Sequence, residues 1–520
     1  MAQPHFSQPL ATSAAAAAGS AGQELTSQTL AIPAANKTEP VGHRAAHGAL
    51  STLLCAALNK LVTFGTQIAL AWFLVPEEFG LVALTLSVMG VSSIFGGATL
   101  RAILIQRSEH FEEVAGQVFW MGLSLNLATA LLLVGAAPVA AVLFHQPQVA
   151  WLILVAAVAP PLQSLTIIHA AALNRSLKFG QLAMVQFCGG LAQNLSGLAL
   201  AAGGAGAMAL VIPLSINAVV AGVLYRRGAG RLRVGRPQPR RWRELQGPVT
   251  CMMANTLAVA LQTSGPNFVL GLVERDANSN GYYYWGFAFA SQAIFLLGTN
   301  LQYVLFPALY KLNDEPARQA AALAKACRTL MAVVFPVIVL QALLAGPFVR
   351  LVFSDRWLPS IPVVQWISLG LASQPIALLA TSVLLAHGEF RRLAWLSGWT
   401  ALSLTAAAAA GAWAGDHVDV ARWVGVALLL VNFTVGWLVF RRLERNVWLL
   451  LQTLLSALGP GLPAAVAGLV VSRFTASQGP VLQIIAMLAT VIPLYLLLVR
   501  ILQPTVVADV LVRLRRQARG

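Results

Sequence analysis

The sequence predicts an all-α polytopic membrane protein of about fourteen transmembrane helices, arranged as two pseudo-symmetric six-helix lobes plus two C-terminal helices. Three observations carry this prediction. Of 520 residues, 58% are apolar and only 10% charged, against roughly 25% charged in a soluble globular chain. Mean hydropathy is +0.73, and apolar stretches of the ~20 residues that a spanning helix requires recur along the chain. Basic residues collect in alternate connections between those stretches. A soluble enzyme is thereby excluded, and the net charge of +16 matters through its placement rather than its size.

Residues 1–47 are rich in Ala, Ser, Gln and Thr without periodicity, and they lack the basic start and apolar core of a secretory signal. They are expected to form a disordered cytoplasmic tail. An N-lobe over 48–225 follows, with spans at 49–74, 79–100, 114–138, 149–173, 180–203 and 204–225. In the fourth, Pro160, Pro161, Gln163 and His169 predict a kinked, partly polar helix, and the lone His169 reads as a packing residue. A linker over 226–246, with eight arginines and Pro237 and Pro239, separates this lobe from the next. Its charge suits anionic lipid head groups, at about 1 kcal/mol per residue. Without aromatic interleaving or a folded basic domain it does not suit nucleic acid. The C-lobe over 247–440 carries spans at 247–272, 283–305, 325–346, 360–386, 391–414 and 420–440. Additional spans at 447–472 and 480–503 occupy 441–503, and 504–520 is a basic cytoplasmic tail.

With the N-terminus inside, the inner segments hold 28 of the 34 Lys and Arg residues and the outer connections five: Arg275, Arg350, Arg356, Arg422 and Arg473. That asymmetry predicts an even number of spans with both termini cytoplasmic. The lobes also echo each other at an offset of 196 residues, which lays Cys55 to Asn59 on Cys251 to Asn255 and Leu74 on Leu270. Phe79, Gly80 and Leu81 then fall opposite Asn280, Gly281 and Tyr282. A duplicated six-plus-six architecture places a substrate site between the repeats.

Chemistry is sparse. Cys55, Cys188, Cys251 and Cys327 lie in or beside apolar stretches without CxxC pairing or histidine neighbours, so they read as packing residues. No outer connection is long enough to carry a catalytic constellation, and Asp416, His417 and Asp419, the compact acid/His cluster, read as a solvated turn. No phosphate-cradling glycine loop occurs, and no cofactor or metal is expected. None of the 18 acidic residues falls within a span. Lys60 is the single mid-span charge, at a cost of about 2.5–3.5 kcal/mol that favours a cavity-facing position. Asn59, Thr63 and Gln67 surround it as a polar stripe at helical spacing, and snorkelling to the interface is the alternative. On span 7 the equivalent stripe is Asn255, Gln262, Thr263 and Asn267, broken by Gly265 and Pro266, which read as a hinge or an ordinary kink. Arg101, at the end of span 2, adds positive charge near the same cavity.

The run Leu74-Val75-Pro76-Glu77-Glu78-Phe79-Gly80-Leu81-Val82-Ala83, followed by Ala102-Ile103-Leu104-Ile105-Gln106-Arg107, resembles the first-lobe signature of the Wzx-type oligosaccharide flippases. These share a superfamily with the MATE exporters and the lipid II flippase. Further matching pieces are Arg175 to Phe179, Gly281 to Tyr283, Phe306 to Leu309 and Asp355 to Pro359, so the resemblance covers roughly residues 49–440. One departure is Pro266-Asn267, where the family pattern usually reads Asp-Asn, and any role of that carboxylate is not carried over.

The resemblance implies a flippase, not an enzyme, of the bacterial cell inner membrane. It would move undecaprenyl-pyrophosphate-linked repeat units for exopolysaccharide or O-antigen (lipopolysaccharide) assembly. Lipid-linked oligosaccharide and anionic membrane lipids are the expected partners, with a polysaccharide polymerase and chain-length or export proteins as further candidates. A small-molecule or multidrug antiporter of the same superfamily is the alternative, and a membrane-embedded polymerase or ligase a third reading. A cationic cavity without carboxylates favours the first over the second.

Overall fold

The computed structural model describes residues 41–92, 111–176, 178–230, 235–310, 315–444 and 448–503. Every regular element among them is helical. The order is α1 (Val41–Phe73), α2 (Pro76–Ser92), α3 (Phe111–Leu143), α4 (Pro147–Ala156), α5 (Ala159–Arg175), α6 (Phe179–Ala202), α7 (Met208–Ala229) and α8 (Pro239–Val273). Then come α9 (Ala277–Tyr310), α10 (Pro316–Val352), a 3₁₀ turn (Asp355–Ser360), α11 (Ile361–Leu371), α12 (Gln374–Ala386), α13 (Phe390–Ala414), α14 (His417–Glu444), α15 (Trp448–Phe474) and α16 (Pro480–Leu502). Among the described residues, helix falls within each of the segments that the hydropathy marks. Among the described residues nine are long and apolar enough to cross a membrane, ten if one bent pair counts as a single span.

Helices rather than strands follow from the solvent, since lipid offers no partner for a peptide group and a helix satisfies its own. Two spans are nevertheless broken. The fourth stops at Ala156 and resumes at Ala159, where Pro160 and Pro161 occupy the first turn, positions whose N–H groups have no helical acceptor. The tenth stops at Leu371 and resumes at Gln374, bending by 44°. Its break is closed by side chains: Ser373 Oγ donates to Gly370 O, and buried Asn432 of α14 donates to Ser373 Oγ at 3.0 Å and to Gln374 Oε1 at 3.2 Å.

The chain forms two compact units. The first comprises Met1–Leu70, Thr85–Ser264 and Leu384–Ala401; the second comprises Ala71–Leu84, Gly265–Val383 and Leu402–Gly520. Each thus draws on both halves of the sequence. Within the first, Ala115, Val118 and Met121 of α3 pack on Ile167, Ile168 and Ala171 of α5, with Trp242 against them. The linker is strapped to α3 through its main chain. Buried Gln117 donates to Arg236 O at 2.8 Å and accepts from Gln238 N at 2.7 Å, while Trp120 Nε1 donates to Gly235 O at 2.8 Å. Helix α8 already begins at Pro239, inside the segment expected to be a linker, and α1 begins at Val41, inside the expected tail.

In the second unit the additional helices α15 and α16 pack on α10 through Ala464, Val491, Tyr495 and Val499, and Tyr495 OH donates to Ala332 O at 2.7 Å. Helices α11 and α14 cross at glycines. A Cβ on Gly370 would stand 2.6 Å from Gly425 O, and one on Gly425 would stand 2.5 Å from Trp366 O. Backbone cannot yield as a rotamer can. Gly370→Ala or Gly425→Ala should therefore cost about 1–3 kcal/mol, read as a lower thermal midpoint in detergent, whereas Gly346→Ala, which meets nothing within 4 Å, should leave the midpoint in place.

Candidate functional site

The first unit brings the expected polar stripe of α1 against α6. Lys60 is exposed, while Asn59, Thr63 and Gln67 are half-buried. Asn59 points to Gly190 of α6, where a Cβ would overlap its amide oxygen. That oxygen is buried and takes no hydrogen bond among the described residues. Thr63 Oγ1 accepts a bond from Asn194 Nδ2 at 3.2 Å, and one helix further Asn217 of α7 donates to Gln193 Oε1 at 2.8 Å. The result is a layer of neutral amides and a hydroxyl crossing three spans beside a lysine, suited to polyhydroxylated or anionic groups rather than to cations. Gln193, Asn194 and Asn217 escaped the sequence reading, which followed charges; the signal was Gly189-Gly190 one helical turn before a polar pair in an apolar span.

The stripe on α8 is divided. Asn255 and Gln262 belong to the first unit, Asn267 to the second, and the boundary falls between Ser264 and Gly265. Gln262 Nε2 donates to Ser397 O of α13 at 3.0 Å, and Thr263 Oγ1 bonds Ala260 O of its own helix at 3.0 Å, so both are committed to structure. Asn255 Oδ1 and Asn267 Oδ1 are buried without a hydrogen-bond partner among the described residues. Gly265 and Pro266 do not interrupt the helix: α8 is continuous from Pro239 to Val273. Pro266 costs it one N–H, leaving the Gln262 carbonyl without its usual donor. The ring Nδ1 of His169 donates to Leu165 O of its own helix at 2.9 Å. Arg101 lies outside the described residues.

A second polar cluster sits where α9 and α14 begin, both in the second unit. Asp276 caps α9 by accepting from Asn278 N and Ser279 N, and Asp416 caps α14 by accepting from Val418 N at 2.9 Å. His417 is not the solvated turn residue that the sequence suggested. It is 8% exposed, it packs on the Tyr282 ring at 5.2 Å, and its Nδ1 is buried without a partner among the described residues. Asp419 pairs with Arg422 at 2.9 Å on the surface. Burial pushes the Glu274 carboxyl above the ordinary glutamate range, Asp416 and Asp276 add to the shift, and Ser279 and His417 oppose it. No group of three or more His, Cys, Asp or Glu among the described residues could hold a metal ion.

The sequence model of a polysaccharide biosynthesis protein family matches residues 69–362, more than half of the chain. Over 401 residues the chain is 27% identical to the succinoglycan biosynthesis transport protein ExoT of Rhizobium meliloti (strain 1021), covering 74% of this chain and 79% of that one. Among solved structures, the lipid II flippase MurJ in an inward closed conformation superposes with a TM-score of 0.71 at 14% identity, over 87% of this chain and 99% of that one. An inward-facing multidrug resistance MATE transporter superposes with a TM-score of 0.60 at 12% identity, over 82% and 98%. At such identities the superpositions establish the fold, a polytopic transporter fold.

Because the folded-state value of Glu274 is raised, its contribution to stability is fully present below the unfolded value of 4.5 and is lost as pH rises through the folded one. The thermal midpoint of the second unit should therefore fall as pH increases above about 4.5. Glu274→Gln should flatten that part of the profile and melt higher than the parent at neutral pH. A parallel pH profile in both proteins would contradict this assignment.

Proposed function

Because the chain belongs to the polysaccharide biosynthesis protein family, we propose that it flips undecaprenyl-pyrophosphate-linked oligosaccharide repeat units across the bacterial inner membrane for exopolysaccharide or O-antigen assembly. The observation that carries the reading is the similarity to a succinoglycan transport protein along 401 residues, on a fold shared with a lipid II flippase. Both termini are read as cytoplasmic from the distribution of arginine and lysine. In this reading two lobes, 48–225 and 247–440, rock about a central cavity that opens alternately inward and outward. The isoprenoid tail stays in lipid while the glycan passes through.

The chemistry of the wet face of α1 supports an anionic, hydroxyl-rich cargo. Lys60 supplies positive charge to a pyrophosphate or acidic sugar; Asn59, Thr63 and Gln67, with Asn194 alongside, exchange hydrogen bonds with sugar hydroxyls in place of water. Asn255, Gln262, Asn267 and Arg101 complete the proposed cavity, Gln262 through its amide oxygen because its nitrogen is bonded to Ser397 O, with Gly265 and Pro266 as the flexing point of α8. The MATE-like fold supports a second reading, a small-molecule or multidrug antiporter. A cationic site would repel a cationic drug, and efflux of such a drug by the purified protein would favour that reading.

Two outcomes test the proposal. An anionic head group leaving a negative interior gains about 2.3 kcal/mol per charge per 100 mV, so reconstituted flipping should follow an imposed potential; dependence on a pH gradient at zero potential would count against it. Lys60→Ala should cut polymer export about tenfold, the worth of one charge-assisted hydrogen bond, at unchanged membrane levels by immunoblot. Lys60→Arg should retain more export than Lys60→Gln, and normal export from Lys60→Ala would return this residue to snorkelling.

A further inference from the structure

Helices α1 and α2 lie in the first unit as far as Leu70 and again from Thr85, yet the hairpin that joins them, Ala71–Leu84, belongs to the second. Its attachment there is a reciprocal exchange of caps. The last carbonyls of a helix lack intrahelical donors, and in α1 and α10 an indole from the other strand of the joint supplies one. Trp357, wholly buried in the 3₁₀ turn after α10, donates Nε1 to Ala71 O in the last turn of α1 at 3.0 Å. Trp72, in the last turn of α1, donates Nε1 to Val352 O, the final residue of α10, at 2.8 Å. Phe79 stands edge-on to the Trp357 ring at 5.2 Å, and Trp285 of α9 backs that ring at 4.9 Å.

The hairpin's Leu74, Phe79, Leu81, Val82 and Leu84 are buried, and at two glycines backbone meets backbone directly. A Cβ on Gly80 would overlap Ala277 O, and one on Gly281 would overlap Pro76 O. Faces without side chains part without any rotamer change, and in lipid their separation lacks the hydrophobic penalty it would carry in water. Trp357 and Trp72 supply the directional bonds of this seat. The hairpin is thus continuous in chain with the first unit at Leu70 and Thr85, while its bonds are made within the second.

We propose that the hairpin Ala71–Leu84 is a gate and that the reciprocal indole caps of Trp357 and Trp72 are its latch, shut in this structure and released once in each transport cycle. The proposal rests on the transport reading, which places these connections on the outer face of the membrane. Hydrogen–deuterium exchange on the purified full chain in lipid nanodiscs tests it without substrate. Peptides covering 71–84 should open as a unit, faster than the cores of α10, α11 and α14. Trp357→Phe keeps the ring and loses the N–H, and it should speed that exchange about fivefold, as one hydrogen bond of about 1 kcal/mol implies. Gly80→Ala, which wedges the seam, should speed it further, and Gly346→Ala should not change it.

Exchange of 71–84 that stays at the parental rate in both Trp357→Phe and Gly80→Ala would overturn the latch, as would an increase spread evenly over the second unit. Since no cargo is present, such a failure leaves the flippase reading standing, whereas normal export from Lys60→Ala would bear on that reading and leave the latch untouched.

Discussion

In the core of a bilayer there is no water to take up a carbonyl or amide that has lost its helical partner, and every irregularity in this chain is built around that absence. Where the tenth span breaks, Asn432 and Ser373 close the gap. Where the fourth breaks, prolines sit at positions that have no N–H to satisfy. Where α1 and α10 end, indoles from each cap the other. Buried amide oxygens that remain unbonded among the described residues include those of Asn59, Asn255 and Asn267.

Charge follows the same economy. The cationic balance of the chain is kept out of the spans except at Lys60, and acid groups gather near helix starts, where Asp276 and Asp416 serve as caps and burial pushes the Glu274 carboxyl above its ordinary range. The amides and the one lysine on α1 and α6 differ in kind from a carboxylate site for cations.

The spans were legible because hydropathy over twenty residues is a strong and local signal, and the proline pair at 160–161 marked its break correctly. Lys60 and its stripe were legible for the same reason, as polar residues at helical spacing in an apolar run. Gln193, Asn194 and Asn217 were not, since a neutral amide in a span carries no pattern until its partner on another helix is known. The glycine and proline at 265–266 suggested a break in α8, but a helix tolerates one lost donor when its neighbours pack closely, as Thr405 does against Gly265. The pairing of Trp72 with Val352 joins residues 280 positions apart, beyond the reach of any local rule.

The strap that holds the linker has a consequence for how such a chain is made. Gln117 and Trp120 grip Gly235, Arg236 and Gln238 by their peptide groups, a hold that does not read those three side chains, while Trp242 further along packs against the α3 and α5 core. The charged side chains serve an earlier moment, when the ribosome delivers the loop and eight arginines between Arg226 and Gln246 keep it from being drawn across the membrane. One segment thus answers to biogenesis through its arginines and to the folded state through its backbone and Trp242.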